Sequence, residues 1–202
     1  MSASEEQRQQ LRRISTQLSE ILDSSQTLGG SDKELAEIEA ALSKLNSKMT
    51  ALRDRKLLEF YNPDFAGDFR NILPCSPISG YFNPIAPDLR IWQEQDRVYA
   101  EGRFGKIHEG PPDCVHGGII SAVYDQVLAF AALANELPSL TASLTVKYRK
   151  PTPLLTPIRF TTWLEKRKDR HIIIHGECHS GDMLLSSAEG LFIMYKKNST
   201  GN

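Results

Sequence analysis

Residues 110–118 read Gly-Pro-Pro-Asp-Cys-Val-His-Gly-Gly, and nine positions after His116 a lone carboxylate, Asp125, interrupts an apolar segment. Gly117 and Gly118 stand where that segment would enter a helix. Lacking Cβ atoms, they let another group reach the first backbone N–H donors, which carry the positive end of the helix dipole. Donors placed this way suit a carbonyl oxygen that gains negative charge during reaction. No other stretch of the chain concentrates such groups.

The helix that must carry them is expected over 118–137, with Ile119, Ala122, Val123, Val127, Phe130, Ala131 and Ala134 on a wide apolar face and Pro138 ending it. Strand patterns flank it on both sides. Residues 89–95 and 97–106 read as a pair with Gln95-Asp96 near the turn, and 139–148, 158–168, 171–179 and 183–196 follow. Short links such as Lys168-Asp169-Arg170 and Ser180-Gly181-Asp182 suit antiparallel hairpins. Two strands, one long buried helix and four strands give an α+β layer, an antiparallel sheet wrapped around one apolar helix.

Upstream the composition changes. Residues 1–59 form a polar, proline-free arm that reads as a helical hairpin broken at Gly29-Gly30. Leu11, Ile14, Leu18 and Ile21 recur at helical spacing in its first half, and Leu35, Ile38, Leu42, Leu45, Met49 and Leu52 make a heptad-like seam in its second. Ser4 with Gln7 and Ser31 with Glu34 are candidate capping boxes. So narrow a seam buries little alone, so the arm is expected to dock on the main domain or on a second subunit. Residues 60–88 hold Pro63, Pro74, Pro77, Pro84 and Pro87 among Tyr61, Phe65, Phe69, Tyr81 and Phe82, an irregular connector suited to cover an apolar site. Residues 89–197 form the main domain.

With 24 Lys+Arg against 25 Asp+Glu in 202 residues, the net charge of −1 favours neither nucleic acid nor an anionic membrane as partner. Cys75, Cys114 and Cys178 are widely spaced and odd in number, which points to a reducing, cytoplasmic setting rather than a disulfide framework. The amino terminus lacks the apolar stretch of a signal peptide, and no apolar run reaches the roughly 20 residues of a membrane helix.

The order of elements, Gly-Pro-Pro-x-x-x-His-Gly-Gly at the helix entrance, Asp125 within the helix and Tyr148-Arg149-Lys150-Pro151 after the next strand together resemble hotdog-fold acyl-CoA thioesterases. The likeness is to the 4-hydroxybenzoyl-CoA and phenylacetyl-CoA thioesterase-like superfamily, in its branch with a helix aspartate. It covers residues 74–197 and leaves the helical arm outside. The resemblance implies a hotdog fold, an acyl-CoA substrate, no separate cofactor, no metal, and paired sheets forming a homodimer or homotetramer. It also implies that Thr141, in a segment similar to the family's T-x-x-L-x-V/I-x-Y/F-x-K/R-P, helps hold a water, and that Lys147, Arg149 and Lys150 meet the nucleotide phosphates.

Thioester hydrolysis needs a stabilised oxyanion and a delivered water or direct attack on the carbonyl. The N–H of Gly118, with that of Gly117, would polarise the thioester oxygen, His116 would position the thioester or cap the helix, and Asp125 would act as general base or as nucleophile. Seven residues at 1.5 Å each put Asp125 roughly 10 Å from Gly118 along one axis. A single helix therefore cannot easily serve both roles, and two antiparallel helices across a twofold axis can.

Plainer readings exist for each residue: Asp125 on a solvated helix side, Lys147, Arg149 and Lys150 as a solvated strand end, Cys114 as a packed thiol. His171, His175 and His179 lie on a β-branched strand, where residues four apart are roughly 13 Å from each other, so they read as a polar sheet face opposite Ile172 and Ile174 rather than as metal ligands. A hotdog hydratase or dehydratase using His116 and Asp125 for proton transfer, and a non-catalytic acyl-CoA binding module, are the competing functions.

Overall fold

The computed structural model describes residues 4–53 and 67–195. Two helices, α1 (Glu5–Ser25) and α2 (Asp32–Ala51), precede the strands β1 (Asp88–Glu94) and β2 (Arg97–Arg103), the helix α3 (Gly117–Ala134), and β3 (Ser139–Tyr148), β4 (Ile158–Lys168), β5 (His171–Ser180) and β6 (Met183–Met194). The six strands form one sheet in the order β1-β2-β4-β5-β6-β3, and every neighbouring pair is antiparallel. Tight turns account for the β4-β5 and β5-β6 pairs. The strand after the helix, β3, instead pairs with β6 at the far edge, from Ser139 opposite Met194 to Tyr148 opposite Ser186, with an irregularity between Thr141 and Ser143.

Strand alternation sends one face of this sheet inward. Leu89 and Ile91, Val98 and Ala100, Ile158 and Phe160, Ile172 and Ile174, and Ala188 and Phe192 are all buried, and α3 lies across them. The helix buries Ile120, Val123, Tyr124, Val127, Leu128, Phe130, Ala131 and Ala132. Of the expected apolar face, Val123, Val127, Phe130 and Ala131 are buried and Ile119, Ala122 and Ala134 half-buried, and the buried side extends further, to Ile120, Tyr124 and Leu128. A helix apolar on nearly every side carries little information on which side meets the sheet. Its length and composition also suit a bilayer span, yet its buried residues face this core.

α3 stops before the expected Leu137 because Glu136 adopts a left-handed φ of 59° and the Leu137 N–H turns back to the Ala132 carbonyl. At the amino terminus both capping boxes form, Ser4 with Gln7 and Ser31 with Glu34. α1 meets the strand domain, with Ser15 buried, the Arg12 guanidinium 4.9 Å from the Tyr81 ring centre and Asp23 Oδ1 accepting the Ile107 N–H. α2 buries none of its residues. The described part of the connector holds a single 3-10 turn, Phe69–Asn71, and no strand until β1 opens at its last residue, Asp88; Tyr61, Pro63 and Phe65 lie outside the described residues.

Candidate active site

The loop before α3 is clamped from both sides. The Val115 N–H donates to the Thr152 carbonyl and the His116 N–H to the His108 carbonyl, each at 2.8 Å, while the Gly110 N–H closes the Pro111-Pro112-Asp113 turn on the Cys114 carbonyl. This fixes His116 as the residue just before the helix, with φ −59° and ψ 132°. Its ring is an N-cap: Nδ1 accepts the Gly118 N–H at 2.9 Å. The Gly118 donor that sequence reasoning assigned to a substrate oxygen is thus held by His116, and the open donor at the mouth is the N–H of Gly117, which has no acceptor among the described residues.

Tyr148 closes the mouth from the side. Its hydroxyl donates to the Gly117 carbonyl at 2.6 Å and lies 2.6 Å from the Ser121 hydroxyl. A Cβ on Gly117 would stand 3.4 Å from the Tyr148 ring, an ordinary van der Waals contact, so the phenol lies directly over this first residue of the helix. Because Tyr148 ends β3, the exposed Lys147, Arg149 and Lys150 sit beside the helix mouth, and none pairs with a carboxylate among the described residues. The Arg149 and Lys150 N–H groups both donate to the Leu185 carbonyl, which pins the strand end.

Gly117, Ser121 and Asp125 follow one another at four-residue spacing, so they share one stripe of α3. Asp125 is exposed and accepts no hydrogen bond among the described residues. Beside it, Gln126 Oε1 accepts the Ser76 hydroxyl at 3.2 Å, and the Phe69 ring lies 5.2 Å from Phe130. The connector therefore runs along the turn that carries the carboxylate. Thr141 is exposed on the edge strand, seven residues or roughly 23 Å of strand from Tyr148. Within one chain the mouth gathers His116, Gly117, Gly118 and the basic strand end, and leaves Asp125 and Thr141 apart from it.

Other groups fall into place around the core. Cys114 is half-buried with a free thiol. His175 Nε2 is 3.1 Å from a Glu189 oxygen and His179 Nε2 is 3.8 Å from Glu177, opposite the buried Ile172 and Ile174. Tyr124 and Ser186 form a buried hydroxyl pair at 3.0 Å, and burial raises the Tyr124 phenol well above its ordinary value. Sequence reasoning gave no role to Tyr148 or Ser121. The available signal was Ser121 at the midpoint of the stripe from Gly117 to Asp125, and a tyrosine directly before the basic cluster.

No family model matches the chain. Acyl-coenzyme A thioesterase THEM4 of Mus musculus is 33% identical over 92 residues, 44% of this chain and 40% of the relative. The Xenopus laevis protein of the same name is 34% identical over 91 residues, 44% of this chain and 41% of the relative. The chain thus spans about two fifths of the length of the curated relatives it matches. Among solved structures, a thioesterase superfamily protein superposes with a TM-score of 0.79 at 23% identity, covering 91% of this chain and 90% of that one. A hypothetical thioesterase of Streptococcus pneumoniae TIGR4 follows at 0.52 and 12% identity, covering 55% of this chain and 92% of that one. The fold is the hotdog fold, an antiparallel sheet wrapped around one helix, here preceded by two amino-terminal helices. The motif resemblance to hotdog-fold acyl-CoA thioesterases is borne out by these relatives.

Proposed function

We propose that the chain hydrolyses acyl-CoA thioesters to a free acid and CoA at a site shared by two copies. The observation that carries this reading is the pairing, on one stripe of α3, of an open Gly117 N–H at the helix mouth with an exposed, unpartnered Asp125 two turns on. About 12 Å of helix separates them, too far for one thioester carbonyl and its attacking water. Two α3 helices antiparallel across a twofold axis bring each mouth to the other chain's carboxylate. Two features support such pairing. Asp125 and Leu133 are exposed on the side of α3 away from the sheet, and β3 is an open edge strand with Leu140 60% exposed.

In this reading Asp125 takes a proton from water, whose oxygen bonds to the thioester carbonyl carbon. The oxyanion that forms accepts the Gly117 N–H and, when the His116 ring swings aside, that of Gly118. Collapse breaks the C–S bond, and the CoA thiolate takes the proton from Asp125. In the alternative step the carboxylate attacks the carbonyl carbon directly, the C–S bond breaks and CoA thiolate leaves an anhydride; water then opens it, returning Asp125 and the free acid and supplying the proton that the thiolate takes. Thr141 is assigned to the water, and Lys147, Arg149 and Lys150 to the nucleotide phosphates. No cofactor enters either route, since water and the thioester balance the reaction. The free thiols of Cys75, Cys114 and Cys178 support a cytoplasmic setting.

Free-thiol release from acyl-CoA esters, acetyl through long-chain and aryl, tests the assignment. Wild type is expected to release thiol from one class, and Asp125→Asn to lose about 10²–10⁴-fold of that rate at unchanged dimer mass. Full turnover in Asp125→Asn removes the carboxylate from the reaction, and consumption of an enoyl thioester without thiol release favours a hydratase.

A further inference from the structure

Among the described residues no element packs along α2. Its seam places Leu35, Leu42 and Met49 at a positions and Ile38, Leu45 and Leu52 at d positions of successive heptads. The five of these within the helix are 38–45% exposed, and no element among the described residues packs along them. A helix of 20 residues is marginal in water without such packing.

Charge along α2 says what would cover it. Asp32, Glu34, Glu37 and Glu39 crowd the amino-terminal half against Lys33 alone, whereas the rest, to Arg53, carries Lys44, Lys48 and Arg53 and no carboxylate. A parallel copy would set acid on acid and base on base. An antiparallel copy sets the acidic half of each helix against the basic half of the other and meshes a with d positions throughout, Leu35 over Leu52, Ile38 over Met49 and Leu42 over Leu45. We propose that α2 is a homotypic interface on which a second copy of this chain lies antiparallel, centred between Leu42 and Leu45. This contact is separate from the α3 and β3 pairing and does not depend on the activity assigned above.

The test is a full-length chain carrying both Ile38→Cys and Met49→Cys. The two positions are 11 residues apart, roughly 16 Å along the helix, beyond the reach of a disulfide within one chain. After mild oxidation, peptide mass spectrometry on a mixture of isotopically light and heavy chains reads which positions join between chains. The antiparallel interface requires links from 38 to 49 to exceed links from 38 to 38 and from 49 to 49 at least tenfold. It also requires that adding Leu42→Glu and Leu45→Glu lowers the link at least tenfold while the thermal midpoint of the strand domain holds. Dominant like-to-like links, absence of any link at these positions, or survival of the link in the glutamate variant overturns the proposal.

Discussion

Tyr148 does at the residue scale what no local pattern announces. Its hydroxyl reaches a carbonyl 31 residues earlier and ties the basic strand end to the helix mouth. Removing that hydroxyl in Tyr148→Phe should lower stability by about 1 kcal/mol and kcat/KM by roughly tenfold, read by denaturation and thiol release. Ser121→Ala, which keeps the bond to Gly117, should cost less in both. Gly117 and Gly118 were legible as a helix start, which the structure places at Gly117, and Asp125 as an exposed position because a charge interrupts an apolar run. The capture of the Gly118 N–H by His116 was not, because a histidine before a helix has the same letters whether its ring caps inward or points at a ligand. The contact made by Tyr148 depends on how β3 passes α3, and a strand pattern carries no such information.

At the element scale α3 is set by its ends. His116 satisfies one of the amides that a helix start leaves open. His116→Ala should therefore destabilise by about 1 kcal/mol in thermal or urea unfolding, and His116→Asn, itself a capping residue, should recover most of that loss. The β1-β2 pair has a different constraint at Gly102, where a Cβ would run into the Asp88 backbone carbonyl oxygen. Gly102→Ala should cost about 1–3 kcal/mol, because backbone rather than a flexible side chain must yield. Strand bounds were readable to within a few residues wherever alternation was clean, as over β4, where Ile158, Phe160 and Thr162 are buried in alternation, and they were readable over the largely exposed β3 as well. The pairing of β3 with β6 was not, because partner choice at the sheet edge follows from closure around α3. Both amino-terminal helices were legible from their caps, but their partners were not: a seam states that something covers it without stating what.

For the whole molecule, two buried acids make stability depend on alkaline pH. Burial pushes the Cys178 thiol up to about 12 and raises the Tyr124 phenol, in each case against a smaller opposing hydrogen bond with Ser186. The unfolded chain releases these protons at ordinary thiol and phenol values, about 8.5 and 10, while the folded chain keeps them. The unfolded state then binds fewer protons, so stability is level below about pH 8 and falls as pH rises, by up to roughly 1.4 kcal/mol per unit for each group. Unfolding midpoints between pH 7 and pH 11 should show this decline, and Cys178→Ala or Tyr124→Phe should flatten it. An unchanged slope in both variants would mean that neither group carries the effect.

The proposed shared site also belongs to this scale, since it would join the helix mouth of one chain to Asp125 of another. Gly117→Pro provides the complementary lesion to Asp125→Asn. Proline is accepted at the first helical position, it removes the open N–H, and the backbone of His116 already has the extended φ and ψ that a following proline demands. Each variant alone should be inactive. Co-refolded in equal amounts, half of the dimers should be mixed, each with one site intact and one doubly damaged, so about a quarter of wild-type thiol release should return. A mixture as inactive as its two components, with mixed dimers present by native mass spectrometry, would contradict a site shared between chains.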